Sequence, residues 1–209
     1  EMTRMQDEVI TGIANLIESR DGSTGLHVKN TQNYVQILTK ALREKGMYPD
    51  ILDHNYELNT VKASVLHDIG KIKTPDAILL KPGRLTDEEF EIMKQHTVAG
   101  CEIIDRIIGN VEHEEYVDIA RKIARYHHER WDGTGYPDGL SGEEIPLCAR
   151  IMALADVFDA LYQDRCYKKA IRPASKVFEI IKENSGSQFD PNLTEIFLEL
   201  QREITDISE

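Results

Sequence analysis

Residues 127–161 read HHERWDGTGYPDGLSGEEIPLCARIMALADVFDAL, and the reading of the whole chain turns on this stretch. It opens on two adjacent histidines, His127 and His128, and runs into a glycine-rich loop, Asp132-Gly133-Thr134-Gly135-Tyr136-Pro137. Pro146 then starts a new helix, which carries Asp156 within the apolar run from Ile151 to Leu161. A helix end, a loop of phosphate size and a second helix with a carboxylate among apolar residues outline one side of a metal site. His67-Asp68, in VLHDIGK, offers the other side.

Outward from there, helical spacing dominates. Met5, Val9, Ile10, Ile13, Leu16 and Ile17 recur at helical intervals from about residue 3 to 20, and the DGSTG of residues 21–25 breaks the pattern. A second helix is expected from His27 to Lys45, with Val28, Tyr34, Val35, Leu38 and Leu42 mostly on one face and Gly46 as its stop. A third, through Leu58, Val61, Ala63 and Leu66, ends at His67-Asp68-Ile69-Gly70-Lys71. Pro75, Pro82 and Gly83 make residues 72–85 a loop. Thr86 and Glu89 then form a capping box, opening a helix that carries His96 towards Ile108. Further helices run from about Glu114 to His128, from Pro146 to Leu161, from Pro173 to Lys182 and after Asp190-Pro191. No stretch alternates with the period of a strand. The fold class is all-α.

A chain of 209 residues can bury one sizeable core. Its 41% hydrophobic and 30% charged composition fits a soluble globular protein, with no window near the ~20 apolar residues of a membrane span and no signal-peptide core. The net charge of -12 argues against DNA or RNA binding. It leaves room for a small anionic substrate, because bound metal ions reverse the local sign of an acidic site. Cys101, Cys148 and Cys166 have no CxxC spacing, and an odd number is not a disulfide framework. They read as reduced residues of a cytoplasmic domain. The start at Glu1 points to a domain excised from a longer protein, or to removal of a tag.

Each candidate ligand has an ordinary reading beside the chemical one. An imidazole next to a carboxylate, as in His67-Asp68, suits a divalent ion and lets the carboxylate bridge two; such pairs also occur by chance at helix ends. Neighbouring helical residues point roughly 100° apart, so His127 and His128 serve one site only where the helix is ending; otherwise they serve different ions or are exposed caps. Asp156 sits among apolar residues and should face a cation or water. Asp159, three residues on, is near the same face and suits a supporting role. His27 and His96 are individually unremarkable, and His54 and His113 read as surface residues.

The segments HDIGK (67–71), HTVAG (96–100), HHERWDGTGYP (127–137) and ADVFDA (155–160) occur in this order. Together they resemble the HD-GYP family, the branch of HD-domain phosphohydrolases that cleaves cyclic dinucleotides in bacterial signalling. The resemblance spans roughly residues 24–191. It implies an HD-domain-like helical bundle with a C-terminal extension of helices over residues 21–209. Residues 1–20 would then be an N-terminal helix, connecting to an upstream sensor or receiver domain or making a homodimer contact. Carried over from the family, the metal ligands are His27, His67, Asp68, His96, His127, His128 and Asp156, with Asp68 bridging. Lys71, Tyr136, Arg165 and Lys168 are the implied substrate contacts, and Asp68 and Lys71 the implied catalytic residues. Iron or manganese is the usual metal. Two departures stand out. The glutamate that three-metal members carry four residues before the first histidine is Ser23 here, so two ions are expected rather than three. An arginine often found three residues after that histidine is Asn30.

Two divalent ions outweigh Asp68 and Asp156 in charge, and the net positive site suits a phosphodiester. Lys71 would offset charge on the equatorial phosphate oxygens. Tyr136 and Trp131 could contact a base or pack against helices, with packing the simpler role for Trp131. The expected activity is hydrolysis of cyclic di-GMP, or of 3',3'-cyclic GMP-AMP, to the linear dinucleotide and onward to GMP. The alternatives are an HD phosphohydrolase for other nucleotides, which the Gly-Tyr-Pro loop argues against, and a non-catalytic receptor or interaction module, which lost ligands would favour.

Overall fold

A computed structural model describes residues 4–21, 26–109, 114–163 and 170–207. Among the described residues the regular structure is ten α-helices and four 3-10 turns, with no strand beyond one isolated bridge between Ser185 and Phe189. In chain order the α-helices are α1 (Arg4–Glu18), α2 (His27–Glu44), α3 (His54–Ala63), α4 (Asp76–Leu79), α5 (Asp87–Ile108), α6 (Glu114–Tyr126), α7 (Leu147–Tyr162), α8 (Ala174–Glu183), α9 (Pro191–Glu199) and α10 (Gln201–Asp206). The all-α expectation holds. No helix among the described residues is long and apolar enough to cross a membrane.

α7 is the axis of the bundle. Ala149, Ile151, Met152, Leu154, Ala155 and Phe158 on it are all fully buried, as the mostly apolar run of this helix requires. Phe158 meets Tyr34 of α2 edge-on at 5.1 Å and packs with Phe178 of α8 and Phe197 of α9. These contacts bind the C-terminal helices to the bundle. On the other side α5 packs along α6 and against the 3-10 turn Ile69–Lys73. That turn lies close because residue 70 is glycine: a Cβ there would meet the carbonyl oxygen of His96 at 1.8 Å.

Several helix ends follow local chemistry. Thr86 accepts from the Glu89 amide while the Glu89 side chain accepts from the Thr86 amide at 2.7 Å, the expected capping box. Gly46 takes φ 67° after α2, which costs a residue without a Cβ little. Residues 72–85 are less irregular than expected, since the 3-10 turn and the one-turn α4 occupy part of them. α1 also differs in its facing. Val9 is 56% and Leu16 71% exposed, whereas Ala14 and Ile17 are in the core and Ile10 and Ile13 pack against it.

Candidate metal centre

Four histidines from four places in the chain turn the same nitrogen inward. His67, just after the 3-10 turn Ser64–Leu66, has Nδ1 2.9 Å from the Ser64 carbonyl. His96, on α5, has Nδ1 2.7 Å from the Met93 carbonyl. His127, one residue past α6, has Nδ1 3.0 Å from the Ile123 carbonyl. A carbonyl can only accept, so each Nδ1 carries a hydrogen and each Nε2 is the atom turned toward the centre. His27, at the start of α2, points Nδ1 at Asp159 Oδ2, 2.6 Å away, and its Nε2 lies 3.4 Å from His67 Nε2 and 3.4 Å from Asp156 Oδ1.

Asp68 stands between them. Its Oδ2 is 2.6 Å from Lys71 Nζ and 3.3 Å from His67 Nε2, and its Oδ1 is 3.4 Å from His96 Nε2 and 3.7 Å from His127 Nε2. The ligand atoms of Asp68, His96, His127 and His128 all lie within 4.8 Å of one another, and so do those of Glu18, His27, His67 and Asp68. Asp68 belongs to both sets. Within them Asp68 Oδ1, His96 Nε2 and His127 Nε2 are buried and make no hydrogen bond. Buried acceptors left like this are costly, and a cation among them removes the cost. Imidazole nitrogens mixed with carboxylate oxygens suit a borderline-to-hard divalent ion. The residues therefore fit the metal that an HD-type fold implies.

The protonation pattern agrees at Asp68, His96, His128 and Asp156, with His67 the exception. Burial pulls His96 down to about 4, and burial with the neighbouring His127 and His96 holds His128 well below the usual histidine range. Burial would also lower His67, but Asp68 pushes it up to about 9. Burial would raise Asp68 and Asp156, yet Lys71 and His67 hold Asp68 down, and His67 and His27 hold Asp156 down. The carboxylates, His96 and His128 thus hold the state a metal requires, and His67 gives up its extra proton when an ion takes its place beside Asp68.

Supporting residues hold this arrangement. Asp159 is 1% exposed and takes the expected supporting place against His27, with Asn30 Nδ2 3.1 Å and Tyr34 Oη 3.4 Å from its other oxygen. At the position where the family resemblance expects an arginine, a neutral amide makes this contact, so the Asp159 charge is directed at His27. Asp156, although it sits among apolar residues in sequence, is the less buried of the two, 14% against 1%. Lys71, His96, His128 and Tyr136 line an adjoining cleft of about 260 Å³ with Ile78, Lys81 and Met93.

α6 ends at Tyr126, so His127 and His128 lie where the helix is finishing, the condition for sharing one site. The loop beyond folds back on them. The Tyr136 amide donates to the His128 carbonyl at 3.2 Å, and its ring lies 4.9 Å from the His128 ring. Gly135 permits this approach, since a Cβ there would come within 2.4 Å of the Arg130 amide nitrogen. Trp131 has the packing role: its ring flanks the Arg150 guanidinium at 5.8 Å, and its amide donates to the Gln188 carbonyl.

Arg165 and Lys168 lie outside the described residues, as do Ser23, His113 and Cys166. His54 is exposed at the surface, and Asp156 belongs to neither four-residue set, meeting the centre through its Oδ1 3.4 Å from His27 Nε2. Two residues here had no place in the sequence reading. Glu129, 3% exposed, accepts from the amides of Asp138 at 2.7 Å and Gly139 at 3.0 Å, clamping the loop. Glu18, 2% exposed, reaches to 3.8 Å from His27 Nε2. The available signal for Glu18 is its place four residues beyond Ala14 and eight beyond Ile10, on the inward stripe of α1.

The HD domain family matches residues 13–193 of this chain. A cyclic di-GMP phosphodiesterase of Vibrio cholerae serotype O1 is 44% identical over 211 residues, covering 100% of this chain and 42% of the relative. A 3'3'-cGAMP-specific phosphodiesterase 2 of the same organism is 36% identical over 199 residues, covering 95% of this chain and 35% of the relative. The chain thus spans less than half the length of either. A crystal structure of a cyclic GMP-AMP specific phosphodiesterase of V. cholerae superposes with a TM-score of 0.62 at 20% identity, over 95% of this chain and 52% of that one, and shows the shared fold. The chain belongs to the HD domain family, and its HDIGK and GYP segments put it in the HD-GYP branch.

Proposed function

We propose that this chain is a metal-dependent phosphodiesterase that opens cyclic di-GMP to the linear dinucleotide and then to GMP, with 3',3'-cyclic GMP-AMP as the competing substrate. One observation carries the reading: Asp68 stands between two sets of inward-facing imidazole nitrogens, with buried acceptor atoms that make no hydrogen bond. The names of the two V. cholerae relatives support the choice of substrate class.

In this reading His27, His67, Asp68, His96, His127, His128 and Asp156 hold two divalent ions, iron or manganese, with Asp68 shared between them. Such ions supply the Lewis acidity that polarises a phosphodiester and activates water. Lys71, beside Asp68 and on the cleft wall, places its ammonium against the equatorial phosphate oxygens, where charge grows in the transition state. Asp159 orients His27, and Glu129 with Gly135 keeps the Tyr136 ring over His128 as a wall for the substrate base. Arg165 and Lys168 are assigned the phosphate contacts. Ser23 is a poor donor, so no third ion is assigned.

The protein is assigned to the bacterial cytoplasm, with residues 1–20 as the link to an upstream sensor or receiver domain or as a homodimer contact through the exposed Val9 and Leu16 face. DNA, RNA and membranes are not assigned as partners. The test is turnover of both cyclic dinucleotides by protein loaded with Fe(II) or Mn(II) under reducing conditions. Linear product is expected, with loss on chelation and a fall of more than about 10³-fold in Asp68→Ala. Tight binding of either nucleotide without cleavage would replace the reading with a receptor.

A further inference from the structure

We propose that Glu18 is a metal ligand, the carboxylate donor to the ion held by His27, His67 and Asp68. The inference rests on the two-ion reading above and adds to its ligand set. α1 presents Ile10, Ile13, Ala14 and Ile17 to the bundle and continues the same stripe with Glu18. Its side chain is 3% exposed, and Oε1 lies 3.8 Å from His27 Nε2; α1 packs on the 3-10 turns that flank His67 and Asp68.

The two halves of the centre differ in what they offer an ion. The half made by Asp68, His96, His127 and His128 has three imidazoles and a shared carboxylate. The other has two imidazoles, His27 and His67, whose Nε2 atoms face each other at 3.4 Å. With Nδ1 of each held by Asp159 and by the Ser64 carbonyl, both rings direct Nε2 to the same point. A cation at that point takes both Nε2 atoms as donors. Glu18 and Asp68 complete a set of four around that point, and Asp156 adds a fifth donor 3.4 Å from His27. Glu18 is thus a carboxylate that α1 places inside a cation-binding arrangement.

The experiment is titration of ion-free protein with Mn(II), by calorimetry and by counting bound ions, on wild type and on Glu18→Gln and Glu18→Asp. The wild type is expected to take two ions per chain. Glu18→Gln keeps the volume and weakens the donor, so one ion should stay at its original affinity while the other weakens at least about tenfold. Glu18→Asp should give the same split, and circular dichroism and the thermal midpoint check that both variants are folded. A second measurement needs no variant. The other carboxylates of the centre are aspartates, so wild-type protein labelled with 13C at glutamate carboxylates should show an infrared band shift when Mn(II) binds. Two ions at wild-type affinity in Glu18→Gln, or no labelled band shift in the wild type, overturns the proposal alone. Wild-type protein that takes up no Mn(II) overturns the metal reading and the Glu18 role together.

Discussion

Two buried polar clusters draw on α7, one through Arg150 and one through Asp156 and Asp159, and they are balanced in different ways. At one, Arg150 and Asp190 form an ion pair at 2.7 Å with side chains 6% and 0% exposed. Tyr48 and Trp131 flank the guanidinium, and the other Asp190 oxygen caps α9 by accepting from the Asn192 amide at 2.8 Å. Each charge has its opposite within the protein, and only Arg150 Nε is left without an acceptor. At the other, Asp68 and the inward Nε2 atoms of His96 and His127 are acceptors facing acceptors. The first cluster is complete as folded. The second is arranged around a positive charge that the side chains supply only in part, through Lys71.

That difference predicts separable failures. Asp190→Ala leaves Arg150 buried and unpaired and removes a cap, so it should lose about 3–5 kcal/mol of stability in urea unfolding. Its folded fraction should hold ions as wild type does. A variant that lost ions with little change in stability would erase the distinction between the clusters.

Asp159→Ala should do the reverse. It frees the His27 ring, and metal affinity should fall by about 10–100-fold, read by Mn(II) titration, with a smaller effect on ion-free stability than Asp190→Ala. Unchanged affinity would mean that His27 needs no orientation to do its work.

Thr86→Ala is the smallest expected change. It opens the capping box of α5, nearly three turns before His96, and should cost about 1 kcal/mol in urea unfolding. The affinity for ions should stay at the wild-type value, because the Met93 carbonyl that orients His96 lies well inside the helix.

What was legible in the sequence follows the same division. Helix ends were readable where one residue changes the options of the backbone, as at Thr86, Gly46, Pro146 and Asp190-Pro191. The histidines and aspartates were readable because their order resembles a known family. Glu18 was hidden by α1, where Val9 and Leu16 extend the apolar pattern yet face outward; helical spacing alone does not choose between overlapping faces. Glu129 was hidden because its partners, the amides of residues 138 and 139, come within reach only when the loop folds back. The depths of Asp156 and Asp159 could not be ranked from neighbours in sequence, since α2 supplies the cover for Asp159 through Asn30 and Tyr34.

The central claim is that the His67-Asp68 cluster is completed by cations, and unfolding of ion-free protein with and without Mn(II) tests it most directly. An ion that binds only the folded chain stabilises it by RT ln(1 + [L]/Kd), about 2.7 kcal/mol per site at a hundredfold excess over Kd. Wild type and Asp190→Ala should both gain stability as Mn(II) is added, and Asp68→Ala should gain little or none. A wild type whose unfolding midpoint ignores Mn(II), or an Asp68→Ala variant that gains as much as wild type, would contradict the account.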